Sequence, residues 1–387
     1  MPATGSSQKV VSVESREGLA ERAAEGLMIV SAATHAERLL VSVVVPCCNY
    51  AAYLPDCLDS VLQQDDVDLE VIVVDDASTD TSTEVAAGYA ARDSRVSVVS
   101  HERNMGHIAT YNDGIQRVTG EYVVLLSADD LLTPGSLRRA TVLMQRYPNV
   151  GLVYGHPLVF TGEALPTPRV TATGWRVWQG RRWIDLRCRR VRNCIYSPEV
   201  VMRTAVQRQI GLYRSDLPYT GDLQMWLRAA TASDVGRVEG ADQAYYRYHA
   251  GNMHFAAHGS GHVDGMLLDL RQRHRTFDSV LAPRACPVPD AQGLLLKARR
   301  SLAIEALNLV SRAYTWGLTE EWPIDDLLDY ALEVYPECRR LGAWRAMRRR
   351  WRLGTRLSSR NPAFVLREYA LDTTYRLQQW RWMRSGV

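Results

Sequence analysis

The stretch whose reading decides the fold is Gly120-Glu121-Tyr122-Val123-Val124-Leu125-Leu126-Ser127-Ala128-Asp129-Asp130. Tyr122 to Leu126 is an unbroken run of apolar and aromatic residues, bounded by a glycine turn and by acids, which marks a strand covered on both faces. Asp129 and Asp130 then stand at its carboxyl end, the edge of an open α/β sheet where ligands bind. Hard carboxylate oxygens placed there can hold Mg2+ or Mn2+ against a diphosphate. The same acids also suit a turn cap ahead of a helix beginning near Pro134. These residues alone leave both readings open.

Working outward, Leu39 to Pro46 is a β-branched run ended by proline, and Leu69 to Val74 is a second buried strand that also ends in acids, Asp75 and Asp76. Tyr53, Leu54, Cys57, Leu58, Val61 and Leu62 recur at helical spacing between them. Further helices are expected over about Thr81–Ala91 and through Asn112 to Val118, with a third strand at Arg95–Ser100. Strands alternating with helices in this way build a parallel sheet with right-handed crossovers. An acid ending the second strand can accept from a base imide or a ribose hydroxyl. No G-x-G-x-x-G follows the first strand and no G-x-x-x-x-G-K-[ST] occurs, so neither a dinucleotide site nor a P-loop is supported.

Four segments in order carry a resemblance. Val41-Ser42-Val43-Val44-Val45-Pro46-Cys47-Cys48-Asn49-Tyr50, then Val73 to Asp80, then Asn104-Met105-Gly106 with Asn112-Asp113-Gly114, then Gly120 to Asp130 resemble the ordered motifs of family 2 glycosyltransferases, from Val41 to about Gly155. The resemblance implies the GT-A fold, a Rossmann-like mixed α/β sheet flanked by helices, a nucleotide-activated sugar donor (most often a UDP-sugar) and usually inversion at the anomeric centre. It implies that Pro46, Asn49, Asp75, Asp76, Asn104, Gly106, Asn112 and Asp129 surround the nucleotide, and that Asp130 with Asp129 holds Mn2+ or Mg2+. Ser127 stands where the family usually has the first aspartate of D-x-D, so one carboxylate is missing.

Beyond Val150 the resemblance thins. Gly151–Gly155 reads as another strand and Glu163–Val170 as a proline-bearing loop. Trp175 to Arg192 holds seven arginines, which suit an anionic acceptor or diphosphate, or else a solvated helix whose Trp178 and Trp183 pack inward. Asp222 precedes a helix with Leu223, Trp226 and Leu227 on one face, so it sits at an N-cap position. By resemblance it is the catalytic base, since family members carry an acid just before a Trp-containing helix; Glu199 and Asp216 are weaker candidates. Ala244 to His254 is similar to the segment that closes the catalytic domain in many members, where Arg247, His249 and His254 would face the diphosphate or metal. The alternative for each histidine is a structural hydrogen bond, and His258 and His262 have less behind them.

Length and composition set the remaining bounds. The 387 residues are 46% hydrophobic and 23% charged, ordinary for a globular chain of two or three domains. No apolar run approaches the roughly 20 residues that span a bilayer, and no secretory signal pattern opens the chain. Seven scattered cysteines without a C-x-x-C pair fit free thiols in a reducing cytoplasm better than disulfides or zinc. The expected organisation is a mobile extension over 1–39 with at most one helix near Arg16–Val30, a nucleotide-sugar half over 40–150, an acceptor half over 151–258, and a helical, Arg/Trp-rich domain over 259–387 after the Pro-rich linker Ala282–Pro289. Within that last part, Gly293–Trp316 and Pro323–Tyr335 are the clearest helices. From Pro336 onward there are 13 arginines, no lysine and three acids, a net +10 in a chain whose total is +3. Trp344–Arg352 and Trp380–Arg384 therefore suit peripheral membrane contact, a homodimer contact, or ordinary helices with snorkelling arginines.

The expected activity is transfer of a hexosyl or N-acetylhexosaminyl group to a small molecule, a lipid-linked saccharide or a peptide, with no specific nucleic-acid partner. Two rivals are a sugar nucleotidyltransferase, which would need a Gly-rich basic loop where Pro46–Tyr50 stands, and a non-catalytic nucleotide-sugar, polyanion or membrane-surface binding module on the same fold.

Overall fold

The computed structural model describes residues 28–29, 39–249, 251–252, 263–282 and 286–385. The order is β1 (Met28–Ile29), β2 (Leu40–Cys47), α1 (Leu54–Leu62), β3 (Asp68–Asp75), α2 (Ser82–Arg92), β4 (Val96–Ser100), α3 (His107–Arg117), β5 (Tyr122–Leu125), β6 (Leu131–Leu132), α4 (Ser136–Arg146), β7 (Val150–Tyr154), β8 (Pro157–Phe160) and β9 (Gly174–Trp178). Then come α5 (Gly180–Arg190), β10 (Val201–Arg203), α6 (Thr204–Ile210), α7 (Gly221–Ala232), β11 (Asp234–Glu239) and β12 (Ala244–Arg247). Helices follow: α8 (Val263–Leu281), α9 (Ala291–Trp316), α10 (Ile324–Val334), α11 (Gly342–Ser359) and α12 (Pro362–Ser385).

Nine strands form one mixed sheet in the order β1-β9-β11-β7-β10-β5-β2-β3-β4. Its β5-β2-β3-β4 part is parallel, with Val43 opposite both Val71 and Val124. The valines of β2 are fully buried, which is why the sequence there is continuous rather than alternating. Helix α3 packs closely on this sheet because Gly114 has no side chain: a Cβ there would lie 2.2 Å from Val44 Cγ1. The nucleotide-half elements match the sequence reading to within a residue or two.

One feature agrees with the mixed sheet that the resemblance implies, and three differ from the sequence reading. Strand β10 runs antiparallel between β5 and β7, so the sheet is parallel only in part. A second, three-stranded sheet, β6-β12-β8, lies beyond β5 and carries Arg247 to Asp130. Within the expected mobile extension, Met28 and Ile29 pair antiparallel with Trp175 and Gly174, covering the edge that β9 would otherwise expose; the rest of the helix expected near Arg16–Val30 lies outside the described residues. Trp175–Arg192 is a strand and a helix, because β9 pairs with β11 and alternates Arg176 outward to Glu239. Trp178 and Trp183 do pack inward, at 5% and 0% exposure.

The C-terminal helices join the core of the first part. Trp183 of α5, Trp226 of α7, Phe277 of α8, Leu302 of α9, Leu327 of α10 and Met347 of α11 belong to one buried apolar cluster.

The glycines allow a paired prediction from urea midpoints. Gly114→Ala is expected to destabilise, because overpacking costs about 1–3 kcal/mol and exceeds the helix-propensity gain. Gly88→Ala in α2, where nothing lies within 4 Å of a new Cβ, is expected to stabilise by up to about 1 kcal/mol. Equal effects would contradict the close α3–sheet contact.

Candidate functional site

The carboxyl ends of β2, β3 and β5 open onto one edge. Asp76, just past β3, accepts the backbone N–H groups of Met105 at 2.7 Å and Gly106 at 2.9 Å. Gly106 has φ +84°, a left-handed conformation that turns its N–H toward the carboxylate as α3 begins. His101 braces the same group, its Nδ1 2.7 Å from Asp76 and its Nε2 3.4 Å from Asp113. Burial works against the charged ring, but the hydrogen bonds and charges of the two carboxylates raise its pKa.

Three predicted residues serve the loops behind this edge. Asn49, at φ +60°, accepts the N–H of Thr79 at 2.7 Å and of Asp80 at 3.3 Å. Asp75 accepts the hydroxyls of Ser78 at 2.5 Å and Thr83 at 2.8 Å. Asn112 clamps the Tyr213 backbone through its carbonyl and amide, at 2.8 and 2.9 Å. Together they knit the β2–α1 loop to the β3–α2 loop and α3 to the approach to α7.

Past β5 the chain turns through Ser127 and Ala128 to Asp129 and Asp130, at 5% and 2% exposure. Burial, then the neighbouring Asp129 charge, raises the Asp130 pKa well above the carboxylate range, opposed by the Arg247 N–H that donates to Asp130 at 2.9 Å. Asp129 lies 3.0 Å from His249 Nε2 and accepts from Asn252 at 3.3 Å. The Arg247 guanidinium sits between the rings of Tyr53 and Phe160 and donates to the carbonyls of Asp129 and Gly162, so its donors are turned to the protein. His254, His258 and His262 lie outside the described residues.

Among the described residues no group of three or more His, Cys, Asp or Glu side chains is gathered as a protein-only metal cage. A Mg2+-type ion does not need one, since such ions are held by one or two carboxylates with water and substrate phosphates completing the shell. Two adjacent buried carboxylates whose mutual repulsion raises Asp130 fit that mode.

Asp222 lies in the first turn of α7, two residues past the cap residue Thr220 rather than at the cap itself, because the helix starts at Gly221. It accepts the Ser197 hydroxyl at 2.6 Å and is hydrogen-bonded to the Tyr213 side chain. Burial raises its pKa, and those two hydrogen bonds oppose the rise. Asp216 is at the surface, paired with Arg214 at 2.7 Å. Glu199 accepts the Tyr196 N–H at 3.0 Å, and burial pushes its pKa up to about 8.

A cleft of about 920 Å³ opens here. Pro46, Asp76, Asn104, Gly106, Asp129, Asp130 and Asp222 line it, whereas Asn49, Asp75, Asn112, Arg247 and His249 do not. Sequence reasoning missed Ser197, Tyr196, Tyr213 and Tyr246, and at the far end Asp269, Arg273 and Tyr375, which line the cleft there with Arg192 of the arginine-rich stretch. Nothing local in the sequence marks a serine on a three-residue 3-10 turn as the partner of an acid on a distant helix.

Residues 42–205 match the model of glycosyl transferase family 2. Over that segment the chain is similar to the glycosyl transferases of family 2. The uncharacterized glycosyltransferase EpsJ of Bacillus subtilis (strain 168) is 37% identical over 102 residues, 26% of this chain and 29% of that protein. Matches to curated relatives span 13% to 65% of those proteins. Among solved structures, TarS 1-349 of S. aureus in complex with UDP superposes with a TM-score of 0.50 at 15% identity, over 78% of this chain and 92% of that one. The mannosyltransferase PcManGT of Pyrobaculum calidifontis, in complex with GDP-Man and Mn2+, gives 0.50 at 18%, over 88% and 92%. These likenesses show the fold, a GT-A-type sheet with C-terminal helices. The matched segment contains Asp76, Asp129 and Asp130 and ends in α6, ahead of Asp222.

Glu199 provides a pH test outside the cleft. Its carboxyl holds its proton to about pH 8 when folded and releases it near 4.5 otherwise, so its contribution to stability is present below 4.5 and falls as pH rises to about 8. Urea midpoints should show Glu199→Gln losing this decline and gaining on the native chain toward pH 8; parallel pH curves for the two would contradict it.

Proposed function

We propose that the protein is an inverting glycosyltransferase that moves a sugar from a UDP-sugar to an acceptor hydroxyl. The observation that carries this reading is that Asp222 and the acids Asp76, Asp129 and Asp130 line one cleft, in a chain whose residues 42–205 match the family 2 model. TarS held with UDP and PcManGT held with GDP-Man and Mn2+ support a nucleotide-sugar donor on this fold.

In this reading residues 40–150 hold the donor, residues 151–258 the acceptor, and the C-terminal helices close the far end. Pro46, Asp76, Asn104 and Gly106 line the nucleotide end of the cleft. Asn49, Asp75 and Asn112 act indirectly, by fixing the loops that present those groups. Asp129 and Asp130 would hold Mn2+ or Mg2+, which supplies positive charge to the departing diphosphate. Arg247 and His249 position the acid pair from behind, through the Asp130 carboxylate and Asp129. Asp222 takes the proton of the acceptor hydroxyl as its oxygen bonds to the anomeric carbon, and the bond from that carbon to the diphosphate oxygen breaks on the opposite side. Ser197 and Tyr213 orient the carboxylate, and their hydrogen bonds oppose the rise that burial imposes on its pKa.

Steady-state kinetics and UDP titration test these roles. Asp222→Asn is expected to lower kcat about a hundredfold or more while leaving UDP affinity nearly unchanged. The acid limb of the native kcat/KM profile should lie above the ordinary carboxylate range and move higher in Ser197→Ala, because a hydrogen bond that favours the charged form is lost. Full activity in Asp222→Asn would remove the base from this assignment. Asp130→Ala is expected to weaken metal-dependent UDP binding, and an unchanged manganese dependence would place the ion elsewhere.

A further inference from the structure

Helix α11 has two unlike faces. Met347 and Arg350 point into the protein, where Arg350 donates to Thr315 at 2.9 Å and to Glu368 at 3.3 Å and stacks over Phe364. Arg345, Arg348, Arg349 and Arg352, at the i, i+3, i+4 and i+7 spacing of a single helical stripe, are all exposed on the other side. Trp351 at 55% exposure and Leu353 at 42% flank the stripe. Past Gly354, whose φ of +68° bends the helix, Arg356 and Leu357 are exposed as well.

A merely solvated helix face ordinarily mixes charges, because like charges four residues apart repel. The α11 sequence, Gly342 to Ser359, contains no acid at all. Helix α12 adds exposed Leu366, Leu377 and Arg376. No described helix is long and apolar enough to cross a membrane. Arginines beside tryptophan and leucine on one exposed face are the composition of a helix lying in a lipid headgroup layer.

We infer that α11, with the exposed residues of α12, docks the protein on an anionic lipid bilayer. The arginines meet acidic headgroups, while Trp351, Leu353 and Leu357 enter the acyl boundary. Charge complementarity chooses this occupant over a second copy of the chain. The segment from Pro336 to the last residue carries a net +10, so two such faces would oppose one another. The inference stands apart from the catalytic reading, since neither the α11 residues nor Leu366, Arg376 and Leu377 of α12 line the cleft.

Flotation of the full chain with vesicles tests it. Binding is expected to vesicles of equal parts phosphatidylglycerol and phosphatidylcholine, falling with added salt, and not to phosphatidylcholine alone. Changing Arg345, Arg348, Arg349 and Arg352 together to Gln should weaken binding about a hundredfold or more, at roughly fivefold per arginine. Trp351→Ser with Leu357→Ser should weaken it about tenfold. Unchanged thermal midpoints in both variants would show that folding is intact. Absence of binding to either vesicle, or equal binding to both, would overturn the proposal. So would an arginine-dependent dimer in sedimentation, or tight binding of duplex DNA without vesicle binding.

Discussion

Two neighbouring carboxylates, Asp129 and Asp130, are held almost out of water where the chain leaves β5. Burying like charges side by side is unfavourable unless something of opposite sign or a hydrogen-bond donor faces them. The fold meets that demand from one direction. Strand β12, paired to β6 immediately after the acids, presents the Arg247 N–H to Asp130 and leads to His249 and Asn252 beside Asp129. The small second sheet thus exists next to the acids and orders the segment that braces them. On the cleft side a divalent ion and a diphosphate complete the arrangement in the reading given above.

The far end of the same cleft depends on a second charge arrangement. Arg273 of α8 is buried and donates to Asp269, to Glu305 of α9 and to the Val191 carbonyl, while Arg192 also pairs with Glu305. Burial opposes ionisation of Glu305, yet Arg273 and Arg192 hold its pKa low. Removing Glu305 would leave the buried Arg273 with Asp269 as its remaining acidic partner. The cluster joins the segment after α5 to α8 and α9, so the C-terminal helices meet the sheet domain in one register and contribute a cleft wall. The cleft is thus lined by segments from both parts of the chain.

The nucleotide-side fold was legible because β2, β3 and β5 are short continuous apolar runs that each end in a recognisable turn or acid. Strands β6, β10 and β1 were not, being two or three residues long and held by partners far away in sequence. Asp76, Asp129, Asp130 and Asp222 were legible as cleft residues because strand ends and a helix start announce them. Asn49, Asp75 and Asn112 occupy equally suggestive positions, but their side chains are engaged by Thr79, Ser78 and Tyr213. Spacing alone cannot distinguish a polar side chain that faces a ligand from one that ties two loops together. Ser197 and Tyr213 meet Asp222 only through tertiary packing, and no local pattern encodes that meeting.

The central claim is that one cleft separates the departing diphosphate from the base that activates the incoming nucleophile, on opposite sides of the sugar. The most direct measurement is the anomeric configuration of the first-formed product, read by proton NMR as the protein acts on an α-linked UDP-sugar with water or an alcohol as nucleophile. A β-configured product at the earliest times is the result this account predicts. An α-configured product under the same conditions would contradict it, because Asp222 could not then be the base for an in-line displacement.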